Sequence, residues 1–286
     1  MRSTELWRGD ERVAPVLPLP ILSAMPTQIH PTAIVDPTAR LGADVVVGPY
    51  AFVGAGVQLG AGTVLHHHAT VEGNTVLGSS NEVFPFACVG LKTQDLKYKG
   101  GHPGTRIGDH NVFREFCTVH AATADGHFTV IGSNNHFLAY THVAHDCVVG
   151  DHVVMSNNAT LAGHIRMGSH VVMGGLSAAH QFCHIGDHAM IGGMSRVSLD
   201  VPPFMIVEGS PAVVRAVNKV GLERAGYSPA QLERVKTIYR IFFREGLNRA
   251  QALEKLRSND IATEPEVAAF IAFADQSERG LMSGAR

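Results

Sequence analysis

Residues 131–197, IGSNNHFLAYTHVAHDCVVGDHVVMSNNATLAGHIRMGSHVVMGGLSAAHQFCHIGDHAMIGGMSRV, carry an apolar residue at every sixth position. These are Ile131, Phe137, Val143, Val149, Met155, Leu161, Met167, Met173, Ala179, Ile185, Ile191 and Val197. The clock continues backward through Val119, Phe113 and Ile107, and again from Val89 to Ile29. Of the 29 positions it marks between Ile29 and Val197, only Asp95, Gly101 and Asp125 are not apolar. A period of six is neither the 3.6 of an amphipathic helix nor the 2 of a half-buried strand. It is the signature of a β-helix, whose coils stack as parallel strands with one aliphatic side chain turned inward per hexad. Glycine often follows the clock residue, as at Gly48, Gly132, Gly150 and Gly168, and is expected where the chain bends.

The three failures mark excursions from the repeat. Gly90–Arg106 is polar and Gly-rich, and Ala121–Thr129 is a second, shorter bulge. Loops that leave a repeat are commonly functional. The β-helix is expected over 29–210, preceded by a leader, 1–28, that is disordered or not native. After residue 210 the period changes. Ser228-Pro229-Ala230-Gln231 reads as a capping box, and Leu232, Val235, Ile238, Tyr239, Phe242 and Phe243 follow at helical spacing until Gly246. Asn248–Gln251 and Thr263–Glu266 repeat the signature. The expected fold is therefore mainly β, a β-helix followed by a small α-helical domain over 211–286 that covers the open edges of the last coil.

Composition narrows the function. A chain of 286 residues with 45% hydrophobic and 17% charged residues has ordinary soluble character. A net charge of −2 gives no electrostatic basis for general nucleic-acid or acidic-membrane affinity. The balance is uneven: residues 1–210 hold 11 Lys and Arg against 16 Asp and Glu, residues 211–286 hold 12 against 9, and all 17 His precede residue 211. Cys88, Cys117, Cys147 and Cys183 form no CxxC pair, which suits a reducing, cytoplasmic setting. Cys117, Cys147 and Cys183 fall in the small-residue core slot. No run of apolar residues is long enough for an integral membrane segment. Val13–Ala24 resembles a short signal core, but Pro15, Pro18 and Pro20 interrupt it and Glu5, Asp10 and Glu11 stand where basic residues belong.

With three hexads per coil, equivalent residues of successive coils lie one above the other at roughly 4.8 Å. His145, Gly163 and Gln181 then form one column, and Asp146, His164 and Phe182 the next. A histidine suits proton transfer near neutral pH, and a glycine over it leaves a backbone N–H open to a developing oxyanion. The same positions also read as ordinary corners. His152, His170 and His188 make another column, but three ligands along a line do not converge on one zinc. They read as a polar outer ladder, and His66-His67-His68 as turn surface.

Several short motifs are more specific. Ile29-His-Pro-Thr-Ala-Ile34, Gln94-Asp-Leu-Lys-Tyr98, Ala144-His-Asp-Cys147, Asn157–His164 (NNATLAGH), His180-Gln-Phe-Cys183, Ile191-Gly-Gly193 and Asp200–Phe204 (DVPPF) together resemble the acyl-[acyl-carrier-protein]–UDP-N-acetylglucosamine O-acyltransferases, the first enzymes of lipid A synthesis. The resemblance runs from Ile29 to the C-terminus. It implies a three-sided, left-handed parallel β-helix, a homotrimer with clefts between neighbouring chains, and two substrates, acyl carrier protein and UDP-N-acetylglucosamine. It further implies that His145 is the general base, Asp146 or a nearby group helps set its tautomer and charge, and Gly163 is the oxyanion donor, with no cofactor and no metal.

By the same resemblance Asp95 and Lys97 contact the sugar nucleotide, with Gln94 beside them. His120, His142, His164, His180 and Gln181 line the cleft, and Gly193 resembles the position that limits acyl-chain length, where a glycine leaves room for a longer chain. Asn218 and Arg224 match substrate-facing positions, whereas Val220 and Ala225 depart from the acidic and basic residues common there. The rival readings are the sister N-acyltransferase of the pathway, whose separate N-terminal domain does not fit in the stretch before Ile29, a metal-dependent carbonic anhydrase of the same fold, and a non-catalytic scaffold.

Overall fold

The computed structural model describes residues 26–285. Residues 1–25 of the expected leader lie outside them. The first strand, Gln28–Ile29, opens a left-handed parallel β-helix of short strands arranged in three sheets. One sheet begins at Gln28–Ile29, the second at Ile34–Val35 and the third at Arg40–Leu41, so the chain visits each face once per coil. Partners in register are three hexads apart in uninterrupted coils: Val143 faces Leu161, Leu161 faces Ala179, and Ala179 faces Val197. The clock residues are the core. Val53, Leu65, Val89, Phe113, Phe137, Val143, Met155, Leu161 and Ile191 are all fully buried. Phe113 and Phe137 stack inside it at 5.1 Å between centroids.

The excursions preserve the clock because each adds whole hexads. Leu77 pairs with Ile107, five hexads on, and Ile107 with Ile131, four hexads on. The first excursion runs between strands Cys88–Leu91 and Gly104–Ile107, the second between Thr118–His120 and Phe128–Ile131.

Glycine's role differs from the expected one. The left-handed bend falls on the third residue after the clock position, and it is mostly not glycine: Tyr50, Phe86, Phe116, Tyr140, Asp146, His152, His164, His170 and His188 all have φ between 56° and 63°. The glycines directly after the clock residue are there because coils crowd one another. A Cβ on Gly48 would fall 2.9 Å from the Leu65 carbonyl oxygen, and one on Gly150 would fall 2.8 Å from the Gly168 carbonyl carbon.

An antiparallel hairpin, Met205–Gly209 with Ala212–Val217, closes the last coil, so β structure continues to Val217. Helices α1 (Lys219–Arg224), α2 (Pro229–Phe243), α3 (Arg249–Arg257) and α4 (Pro265–Gln276) follow. Capping boxes start α2 at Ser228 and α3 at Asn248. The third expected box is absent. Glu264 is the N-cap of α4 without a side-chain cap bond, because the Glu266 carboxylate is buried and accepts from Gln231 Nε2 and Arg234 Nε, each at 2.8 Å. Among the described residues, no helix is long and apolar enough to cross a membrane.

Candidate active site

The site lies along the edge where the second sheet turns into the third. Val143, Leu161 and Ala179 are in register there, and the residues two and three positions on form the corner. His145 is followed one coil later by Gly163, and Asp146 by His164 and Phe182, whose rings stack at 4.7 Å. A Cβ on Gly163 would stand 2.5 Å from His145 Nε2, so only glycine admits the imidazole at this level. Among the described residues nothing accepts a hydrogen bond from the Gly163 N–H. In the unbroken coils from Ile131 to Val197 this slot donates to no backbone carbonyl. Pro31, Pro37, Pro49 and Pro85 occupy it in earlier hexads.

Asp146 fixes the histidine. Its Oδ2 lies 2.8 Å from His145 Nδ1 and accepts the ring N–H, which leaves the lone pair on Nε2. Asp146 is itself held by its own backbone N–H, which donates to Thr129 Oγ1 at 2.9 Å, and by the Thr123 N–H, which donates to its Oδ2 at 3.1 Å. Both threonines belong to the second excursion or its closing strand, and neither is singled out in the sequence. The first excursion approaches from the other side. Asp95 Oδ2 is 3.9 Å from His145 Nε2, with the Asp95 N–H donating to Thr93 Oγ1 at 3.1 Å and the Lys97 N–H donating to Asp95 Oδ1 at 2.9 Å. Gln94 and Lys97 are exposed on the same loop. The loop roofs a cavity of about 250 Å³ whose lining includes Glu72, Asn74, Lys92, Tyr98 and His102.

Four more histidines surround this point. His120 is buried and packs edge-on against His142 at 4.9 Å. Burial, then the nearby His145, lowers the His120 pKa, and its Nδ1 has no partner among the described residues. His142 bonds Thr118 Oγ1 at 2.8 Å, and burial, followed by His120 and His145, pushes its pKa down to about 4. Both are therefore neutral at physiological pH. His164 meets His145 edge-on at 5.1 Å. His180 and Gln181 are exposed on the next coil.

Other expected site residues lie elsewhere in the protomer. Gly193 follows Ile191 of the first sheet, so it sits on a different edge, with Gly175 below it. Asn218 is buried, caps α1 by accepting from the Gly221 N–H, and donates Nδ2 to the His188 carbonyl at 2.8 Å. Both of its polar ends are used within the chain. Arg224 is exposed at the end of α1. The ladder His152–His170–His188 lies on the third edge, its rings parallel at 4.7 and 4.6 Å. The His66 Nε2 contacts Glu82 at 2.8 Å, and His67 and His68 are exposed in the turn. Cys117, Cys147 and Cys183 are buried, and burial pushes their thiols up to about 12, 12 and 11. They are packing groups rather than nucleophiles.

Two family models match this chain: "Bacterial transferase hexapeptide (six repeats)" over residues 128–163, and "Udp N-acetylglucosamine O-acyltransferase; Domain 2" over residues 200–282. The acyl-[acyl-carrier-protein]–UDP-N-acetylglucosamine O-acyltransferase of Thermodesulfovibrio yellowstonii is 45% identical, covering 89% of this chain and 98% of that protein. The chain belongs to the UDP-N-acetylglucosamine O-acyltransferase family. The relative of the same name from Saccharophagus degradans is 46% identical, with 90% and 99% covered. The solved LpxA of Acinetobacter baumannii superimposes with a TM-score of 0.86 at 44% identity, covering 89% of this chain and 99% of that one. The chain thus carries the hexapeptide repeat and the second domain of the O-acyltransferases together.

Proposed function

We propose that this protein transfers a 3-hydroxyacyl group from acyl carrier protein to the glucosamine 3-hydroxyl of UDP-N-acetylglucosamine, the first step of lipid A biosynthesis. Family membership supports the substrates. The observation that carries the chemistry is the His145–Asp146 pair beside the bare amide of Gly163. Nε2 of His145 takes the hydroxyl proton as that oxygen attacks the thioester carbonyl. The Gly163 N–H donates to the oxyanion of the tetrahedral intermediate. Collapse breaks the C–S bond, and the imidazolium returns its proton to the departing carrier thiolate. A thioester is already activated, so positioning, proton transfer and oxyanion stabilisation suffice.

Asp95, Gln94 and Lys97 hold the sugar nucleotide from the first excursion. His120, His142, His164, His180 and Gln181 line its cleft, the buried His120 and the half-buried His142 serving as neutral hydrogen-bonding groups. Gly193 and Arg224 complete the cleft from a neighbouring chain, since in one protomer they stand away from the His145 edge, and the buried Asn218, its polar ends engaged with Gly221 and His188, holds the start of the helix that carries Arg224. A homotrimer supplies that neighbour. Its contact has a physical basis in the corner column Tyr50, Phe86, Phe116, Tyr140, Leu176 and Met194, every member of which is exposed. Phe86 stacks on Phe116 at 5.1 Å and Phe116 on Tyr140 at 4.8 Å, an apolar rib that His68 and Asn158 interrupt in the same column. The reduced, buried thiols suit a cytoplasmic enzyme.

The test is incubation with UDP-N-acetylglucosamine and carrier proteins loaded with 3-hydroxyacyl chains of graded length, with products identified by mass. A mono-acylated nucleotide that retains UDP is expected, and long chains are used because Gly193 leaves room. No acylated nucleotide with any donor refutes the assignment.

A further inference from the structure

One cluster at this site has a chemistry that acyl transfer does not use, and its consequence for activity rests on the acyltransferase reading. Asp95, His145 and His164 each offer a ligand atom, all within 4.8 Å of one another. Consecutive coils supply the two imidazoles, and the first excursion brings the carboxylate. Two histidine nitrogens and a carboxylate oxygen are a ligand set suited to zinc and similar divalent ions, with an open fourth position. His145 is already prepared as a ligand. Asp146 accepts its Nδ1–H at 2.8 Å, the carboxylate–histidine arrangement that stands behind zinc-bound imidazoles and leaves Nε2 basic and aimed. Groups bonded to one tetrahedral ion at about 2.1 Å stand about 3.4 Å apart. Asp95 Oδ2 and His145 Nε2 are 3.9 Å apart and all three ligand atoms lie within 4.8 Å, so closing on an ion takes a small inward movement of the Asp95 loop together with a small rotation of the His164 ring.

We propose that Zn²⁺ and related divalent cations bind Asp95, His145 and His164 and switch acyl transfer off. The ion occupies the Nε2 lone pair that must receive the hydroxyl proton, and it occupies Asp95 as well, so it competes with the sugar nucleotide. The geometry that makes His145 a good base makes it a good ligand, and the two roles exclude one another.

Chelator-treated full-length protein is titrated with Co²⁺ while its visible d–d absorption is recorded, and acyl transfer is followed against Zn²⁺. A d–d band is expected that UDP-N-acetylglucosamine displaces and that is lost in Asp95→Asn and His164→Gln proteins with unchanged circular dichroism. Transfer falls at least tenfold at saturating Zn²⁺, recovers with chelator, and needs more Zn²⁺ as the sugar nucleotide rises. Absence of the band, a band that persists in both variants and ignores the nucleotide, or transfer that requires the ion overturns the inference. A chelated protein that makes no product with any donor instead defeats the acyltransferase reading, and the cobalt band still reports on the metal site.

Discussion

The imidazole of His145 occupies the space that a side chain on Gly163 would need, with Nε2 2.5 Å from where that Cβ would stand. The two residues are three hexads apart in sequence and belong to adjacent coils joined by the Val143–Leu161 register. Replacing Gly163 by Ala forces the ring aside while leaving the Leu161 core position intact. Since a displacement of about 1 Å at a reacting group costs on the order of 10²-fold, kcat should fall by about that factor with little change in thermal stability. Steady-state kinetics and a melting curve on the same preparation check it.

Asp146 acts through His145. In Asp146→Asn the carboxylate no longer selects the Nδ1–H tautomer or stabilises the imidazolium, so kcat should drop on the order of 10²-fold or more. The KM for UDP-N-acetylglucosamine should change much less. A pure rise in KM would assign Asp146 to binding instead.

His142 links stability to pH. Its pKa is about 4 in the folded protein against an ordinary value near 6.5, chiefly because burial disfavours the charged ring. Between these values the unfolded state binds more protons, so this group destabilises the fold as pH falls from about 6.5 through 4 and contributes nothing above that window. His120 is shifted in the same direction. Melting temperatures across pH 4 to 7 should decline more steeply for the wild type than for His142→Gln.

Phe116 and Tyr140 form the centre of the exposed rib, 43% and 55% accessible despite their size. Placing a carboxylate there by Phe116→Asp with Tyr140→Asp should dissociate the proposed trimer. Sedimentation equilibrium should then give the mass of one chain, 30.6 kDa, and transfer should be lost because the cleft is incomplete. A variant that stays trimeric places the contact on another edge.

The six-residue clock makes the fold legible in the sequence, because each hexad contributes one inward residue such as Val143 or Leu161 and interruption by whole hexads leaves the count unbroken. It also places His145 beside Gly163 and Asp146 beside His164. What it misreads is local. Glycine after the clock residue answers crowding between coils, a contact with the next coil rather than with its own turn, while the left-handed bend tolerates His, Asp, Phe and Tyr. Glu266 reads as a capping residue because spacing does not register that Arg234, on another helix, claims its carboxylate. The Thr123 and Thr129 bonds to Asp146, and the approach of Asp95 to His145, depend on how two irregular loops fold back, for which the sequence has no period.

The role of His145 as the base is tested by single-turnover acyl transfer by His145→Ala beside the wild type, each checked for its assembly state. Loss of about 10²- to 10⁴-fold with assembly and melting temperature unchanged is the predicted result. Transfer at the wild-type rate from a correctly assembled variant would mean that some other group removes the hydroxyl proton.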